Sequence, residues 1–223
     1  MRQNEVRRLL LLSALPVCVA LLLAGCGSNS VPAPTAATPG GGAPALPTGA
    51  EVRHPAAPTG NPVYLNLLSD GGESFYQVAV KAGDTSTAVN PAKWRGKEVG
   101  KTGALTALVP AGASSVSNSE SAAQVLLLRW AMWQDANSNG ARDAGEDLPL
   151  MSHDRAVYAD KAVTLSFLTA APNMKQSWNF AAGWSRAAHY VYLPDDSATY
   201  QRSLSSDLVQ RYELHEPTPI TNQ

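Results

Sequence analysis

Asp135, Asn137, Asn139, Asp143 and Glu146 place oxygen-bearing side chains at positions 1, 3, 5, 9 and 12 of one short stretch, with Gly140 at position 6. Calcium takes six to eight hard oxygen ligands, and a twelve-residue loop with this spacing can supply them. Asp135 would be the first carboxylate ligand. Asn137 and Asn139 would offer amide carbonyls, and Ala141 its peptide carbonyl at position 7. Asp143 would coordinate directly or through water, and Glu146 would close the site with both oxygens. Gly140 permits the sharp turn that gathers these groups. Two asparagines stand where tighter sites carry acids, so the expected dissociation constant is weak, roughly 10⁻⁴–10⁻³ M as in extracellular modules. The competing reading is a metal-free polar turn, since Asn-Gly is ordinary turn chemistry.

The loop, Asp135 to Glu146, resembles calcium loops of dockerins, of bacterial adhesin repeats and of EF-hand-like proteins. Those loops usually carry an aliphatic residue at position 8, which pairs with a sister loop. Here that position is Arg142, and no second loop occurs in the chain. The expectation is therefore one solitary structural calcium site, and not a paired sensor.

A second chemical signal closes the N-terminal leader. Arg2, Arg7 and Arg8 precede an apolar run from Leu9 to Leu23, interrupted by Ser13 and Pro16. The run is short for a membrane span, and it exits through small residues as a cleaved signal does. Leu23-Ala24-Gly25-Cys26 resembles the lipobox of bacterial lipoproteins. That resemblance implies residues 1–25 as signal peptide, cleavage before Cys26, and fatty chains of a diacylglycerol on its thiol. Each buried methylene contributes about 0.8 kcal/mol, so several chains hold a protein at a bilayer. Gly27, in place of Asp, favours the outer membrane if the cell has two, with the domain facing the periplasm or the exterior. The plain alternative is an ordinary signal whose cysteine stands there by chance.

Cysteine usage is consistent with this. The only thiols are Cys18 in the leader and Cys26. A chain starting at Cys26 has none left for a disulfide or a thiolate zinc site. Its stability must come from a packed core, to which a metal can add. The whole chain carries a net charge of −1, and removing the leader's three arginines and one glutamate leaves about −3. No basic patch points to nucleic acid. Membrane attachment would rest on the lipid anchor.

Residues 26–61 are dense in Pro, Ala, Gly and Thr and poor in large apolar side chains. They read as a disordered tether with a solvated His54. Residues 62–223 read as one domain. Val63 to Leu68, Ser74 to Lys81, Lys97 to Val109, Ala162 to Leu168, Ala188 to Leu193 and Val209 to Leu214 have strand character between turn residues. Ala113 to Ala122 reads as a surface loop. Gln124 to Gln134 is apolar in both alternating sets, as in a central strand covered on both faces. A buried helix fits its periodicity almost as well. Strand is preferred, because Pro149 falls where an EF-hand's exiting helix should run. The expected class is all-β, or β-rich with minor helix, in one β-sandwich-like domain.

Catalytic signals are thin. Gly183-Trp184-Ser185-Arg186-Ala187 partly matches a nucleophile elbow, with His153, Asp154 and His189 as conceivable partners. The elbow needs a strand-turn-helix, which the pattern here does not provide. Trp94, Trp130, Trp133, Trp178 and Trp184 read either as core or as a stacking face for sugar rings, and Tyr190, Tyr192, Tyr200 and Tyr212 share that ambiguity. The expected function is a non-enzymatic, lipid-anchored structural or interaction module with one calcium ion. An envelope protein binding glycan or a small ligand on an aromatic face is the alternative, and a serine hydrolase ranks third.

Overall fold

Short extended runs separated by turn residues build the domain. The computed structural model describes residues 49–217. Cys26, the leader and the rest of the expected tether therefore lie outside the described residues. The strands are β1 (Ala50–Arg53), β2 (Val63–Ser69), β3 (Ser74–Val80), β4 (Ser86–Val89), β5 (Gly103–Ala104), β6 (Ser114–Asn118) and β7 (Gln124–Gln134). They continue as β8 (Arg155–Ala159), β9 (Val163–Ala170), β10 (Asn173–Phe180), β11 (Gly183–Tyr192), β12 (Tyr200–Asp207) and β13 (Arg211–Glu213). Two single 3-10 turns, Pro91–Lys93 and Leu105–Leu108, are the helical elements among the described residues. The protein is all-β.

Two sheets form a β-sandwich-like arrangement. A three-stranded sheet has the order β13-β1-β4. A ten-stranded sheet runs β3-β2-β7-β8-β11-β12-β10-β9-β6, with β5 added against the start of β7. Most neighbours are antiparallel; β1 with β13 and β10 with β12 are parallel.

Strand β7 shows why the large sheet needs two cores. Leu126, Leu128, Trp130 and Met132 point into one, between β1 and β4 of the small sheet and β2, β3 and β7 of the large one. Val125 and Leu127 point the other way, into a second core built from β8 to β12 and the Leu105–Leu108 turn. Strand β8 is split likewise: Ala156 joins the first core, Val157 and Ala159 the second. A strand apolar on both faces is therefore buried on both faces, as its alternation demanded.

The structure corrects several local expectations. Residues 50–61 are part of the globule, not of the tether. Ala50 and Val52 are buried in β1, between β4 and β13, and Ala57 is buried with them. His54 is buried, not solvated: its ring nitrogens contact the Pro55 carbonyl and Thr87 Oγ1, each at 2.9 Å. Long-range pairing offsets the ordering cost that the composition alone could not. Lys97 to Val109 is mostly turn and 3-10 helix, with only the two residues of β5 extended. Ala113 to Ala122 contains β6, an exposed edge strand whose serines give no apolar signal.

Candidate functional site

The 135–146 loop joins β7 to a strand-like return. Gln134 N–H donates to the Glu146 carbonyl (3.0 Å), and Leu148 N–H donates to the Met132 carbonyl (2.9 Å). The loop is thus entered by a strand and left by an antiparallel partner, without EF-hand helices. Ser138 (φ 59°) and Gly140 (φ 74°) take left-handed backbone, which turns the chain inside the loop. Glycine accepts that geometry at no steric cost.

The side chains expected to bind metal are brought together, in two groups. Asp143 Oδ2 accepts from Asn137 Nδ2 at 2.9 Å and from Asn139 Nδ2 at 2.7 Å. Positions 3, 5 and 9 therefore converge on one point, and the two amides hold the Asp143 carboxyl below the usual carboxylate range. Asp135 and Glu146 brace the loop's ends. Asp135, almost fully buried, accepts from Asn139 N–H (3.1 Å) and Gly140 N–H (2.8 Å). Glu146 accepts from Ala136 N–H and Asp143 N–H, both at 2.9 Å. The Ala141 N–H donates to Asn139 Oδ1 (2.7 Å). Arg142, at position 8, turns outward and pairs with Asp147.

The donor set is all hard oxygen and fits calcium in kind. In arrangement, no three acidic, histidine or cysteine groups among the described residues cluster closely enough to hold a metal by themselves. The asparagines complete the set, and they now donate to Asp143. A cation at that point would take the place of their two N–H groups, with the amide oxygens turned inward. Internal hydrogen bonds give the loop a definite shape of its own.

A second site was not legible in the sequence. Four adjacent strands, β8, β11, β12 and β10, each turn one polar residue toward the second core: Arg155, His189, Arg202 and Gln176. The register explains this. Arg155 pairs with Ala187, His189 with Leu204, and Gln176 with Arg202. Two residues farther along the same face of each strand lie Val157, Ala187, Leu204 and Trp178, which belong to the second core or pack against it. The polar residues therefore crown the core and line a cavity of about 210 Å³, with Leu108, Leu127, Leu204 and Trp178 in its walls.

Histidines stack at its rim. The His153 and His189 rings lie 4.7 Å apart and nearly parallel, and His215 follows at 5.4 Å from His153. Burial first, then Arg202 and His153, pulls His189 down to about 4, against the opposing pull of Asp154. His189 Nε2 is buried with no hydrogen-bond partner among the described residues. Sequence reasoning missed this set because each member stands alone in its strand. The available signal was a charged or polar residue at the end of an otherwise apolar inward-facing series, as in Arg155-x-Val157-x-Ala159.

The remaining expectations divide. Ser185 lies inside regular β11, and its Oγ is 2.7 Å from Ser206 Oγ, with no hydrogen bond to histidine. Asp154 binds Arg186 Nη2 at 2.7 Å and accepts from the His189 N–H at 3.0 Å through its other oxygen. Trp94, Trp130 and Trp133 are core residues. Trp178 lines the cavity, and Trp184 packs against the first core and donates to Glu98 (3.1 Å). Tyr212 is buried, whereas Tyr190, Tyr192 and Tyr200 are exposed near the β11–β12 connection. Comparison with known proteins finds no matching family model, no similar curated protein and no similar solved structure.

Proposed function

We propose that this protein is a lipid-anchored module of the cell envelope, held at a membrane through Cys26 and stabilised by one calcium ion in the 135–146 loop. It acts by binding and not by catalysis. The observation that carries the calcium part is the convergence of Asn137, Asn139 and Asp143 on a single point, within a loop that also has Asp135 and Glu146 at its ends. Leu23-Ala24-Gly25-Cys26 supports the anchor. A solitary weak site suits an exported protein, because extracellular calcium is plentiful enough to occupy sites of roughly millimolar affinity. The ion would tie the end of β7 to its return segment. Calorimetric titration of the full chain should give heat with calcium, and chelator should lower its melting temperature. Cys26→Ala should shift the protein from the membrane to the soluble fraction, and unchanged partition would remove the anchor from this reading.

A second reading, a small-ligand-binding envelope protein, has its own support. The cavity crowning the second core has an indole wall, Trp178, beside several convergent polar groups. That combination is characteristic of ligand sites.

A further inference from the structure

Strand pairing lays five residues in one row across the large sheet. Tyr190 on β11 pairs with Ser203 on β12, Ser203 with Ser177 on β10, Ser177 with Ser166 on β9, and Ser166 with Ser117 on β6. Paired residues share a face, so all five project to one side. Ser205, Asn179 and Thr164 form a second row beside them, and Tyr192, Gln201 and Lys175 a third. Ser166 and Ser177 alternate with the buried Leu165, Phe167 and Gln176, so this side faces away from the second core. At β7 and β8 the same side of the sheet holds the first core, through Leu128 and Ala156. Farther out it meets solvent: Tyr190, Tyr192, Asn179, Thr164 and Ser117 are exposed.

The chemistry of this face is narrow. Solvent-facing surface usually mixes in roughly a quarter to a third of charged residues. In these three rows Lys175 carries the one charge, and the rest are serine, threonine, asparagine, glutamine and tyrosine. That is too little charge for an acidic polymer and too little apolar surface for a protein core. Each of those neutral side chains can both donate and accept a hydrogen bond. The tyrosines add an apolar ring with a polar tip, and Tyr192 Oη donates to Gln201 Oε1 (3.1 Å), which ties that ring to β12. Between β6, β9 and β10 the short side chains Ser117, Thr164, Ser166 and Ser177 line a recess of about 500 Å³. Ligand sites commonly measure roughly 300–1,000 Å³.

We propose that this face binds a neutral polysaccharide chain, with sugar rings on Tyr190 and Tyr192 and sugar hydroxyls on the serine row and Asn179. The site is separate from the calcium loop and from the cavity above the second core, and depends on neither. A neutral sugar matches it group for group: its hydroxyls both donate and accept, and its C–H faces lie against aromatic rings. The row crosses five strands, four spacings of about 4.8 Å, and is roughly 19 Å long. That length accommodates several linked sugars.

The test is calorimetric titration of the full chain with cellohexaose, maltohexaose and chitohexaose, and with the monosaccharides glucose and N-acetylglucosamine. At least one hexasaccharide should bind, roughly tenfold or more tightly than its monosaccharide, because a single ring reaches only part of the row. Tyr190→Ala should weaken that binding roughly tenfold. Ser177→Glu sets bulk and charge in the middle of the row and should weaken it by at least about tenfold. Should that variant fail to fold, Asn179→Glu, at an exposed position, takes its place. Binding unchanged in the folded variants would place the sugar elsewhere and overturn the proposal, as would a monosaccharide that binds as tightly as its hexasaccharide. Silence with all three hexasaccharides would overturn it too, while leaving the calcium and cavity readings standing. Sedimentation supplies the remaining outcome: a dimer that Ser177→Glu dissociates would assign this face to a second copy of the chain and overturn the proposal.

Discussion

Replacing Asp135 with alanine removes the carboxylate that closes the entrance of the 135–146 loop. Asp135 is 1% exposed, and its two oxygens accept the Asn139 and Gly140 N–H groups at 3.1 and 2.8 Å. Hydrogen bonds to a charged group contribute roughly 1.5–3 kcal/mol each. Residues 136–141 are exposed, so the two freed N–H groups regain part of this from water. A net loss of about 2–3 kcal/mol is expected. In a domain of this size each kcal/mol moves the midpoint by roughly 2–4 °C, so melting should fall by about 4–12 °C. The measurement is circular-dichroism melting in excess chelator, where metal plays no part. It is then repeated with calcium at about ten times its dissociation constant. There the ion should add about 1.4 kcal/mol to the native protein and nothing to Asp135→Ala. A variant that melts within about 1 °C of the native protein in chelator refutes the hydrogen-bond argument. A calcium increment that survives in the variant refutes the ligand assignment.

Further tests address other parts of the fold. Gly140→Ala forces a Cβ into left-handed backbone (φ 74°) with no steric neighbour, so it should cost about 1–2 kcal/mol in urea unfolding; a smaller loss would show that the turn relaxes. Asn66→Leu orphans the buried Trp133 Nε1, now 2.9 Å from Asn66 Oδ1, and should cost about 1–3 kcal/mol. Adding Trp133→Phe to it should recover part of that loss, and a double variant worse than the sum of the singles would contradict the account. Acid should weaken the fold through the stacked histidines. His189 titrates at about 4 in the fold, and His153 is lowered as well, first by burial and then by His215. The unfolded chain takes up those protons from about pH 6.5 downward. Their contribution is therefore complete above about pH 6.5 and declines as pH falls toward 4. For His189 the loss is roughly 1 kcal/mol once screening of a half-exposed ring is allowed for. His189→Gln should flatten the urea midpoint between pH 6.5 and 4.5, and an unaltered slope would assign the acid sensitivity to other groups.

The all-β class was readable because its cues are local. Val63 to Leu68, Ser74 to Lys81 and Ala162 to Leu168 carry strand residues between turn residues, and each became a strand. The doubly apolar run at 124–134 pointed to a strand covered on both faces, and β7 separates two cores accordingly. The 135–146 loop could be proposed because its oxygen side chains fall within twelve consecutive residues, and the structure brings Asn137, Asn139 and Asp143 to one point. Strands β1, β6, β10 and β12 were hidden for the opposite reason. Their sequences are short or polar, and pairing with distant strands, not their own pattern, makes them extended.

From residue order alone came the all-β class, and with it the expectations of a lipid-anchored leader and of a calcium loop at 135–146, because each depends on neighbours along the chain. Tertiary structure alone decided that residues 50–61 join the globule, that Ser185 meets Ser206 and no histidine, and that Arg155, Gln176, His189 and Arg202 share one cavity. Those four positions span nearly fifty residues of sequence, and only the pairing of β8, β11, β12 and β10 brings them to one face. Register is set by the burial of whole strand faces. No single strand, read by itself, contains that information.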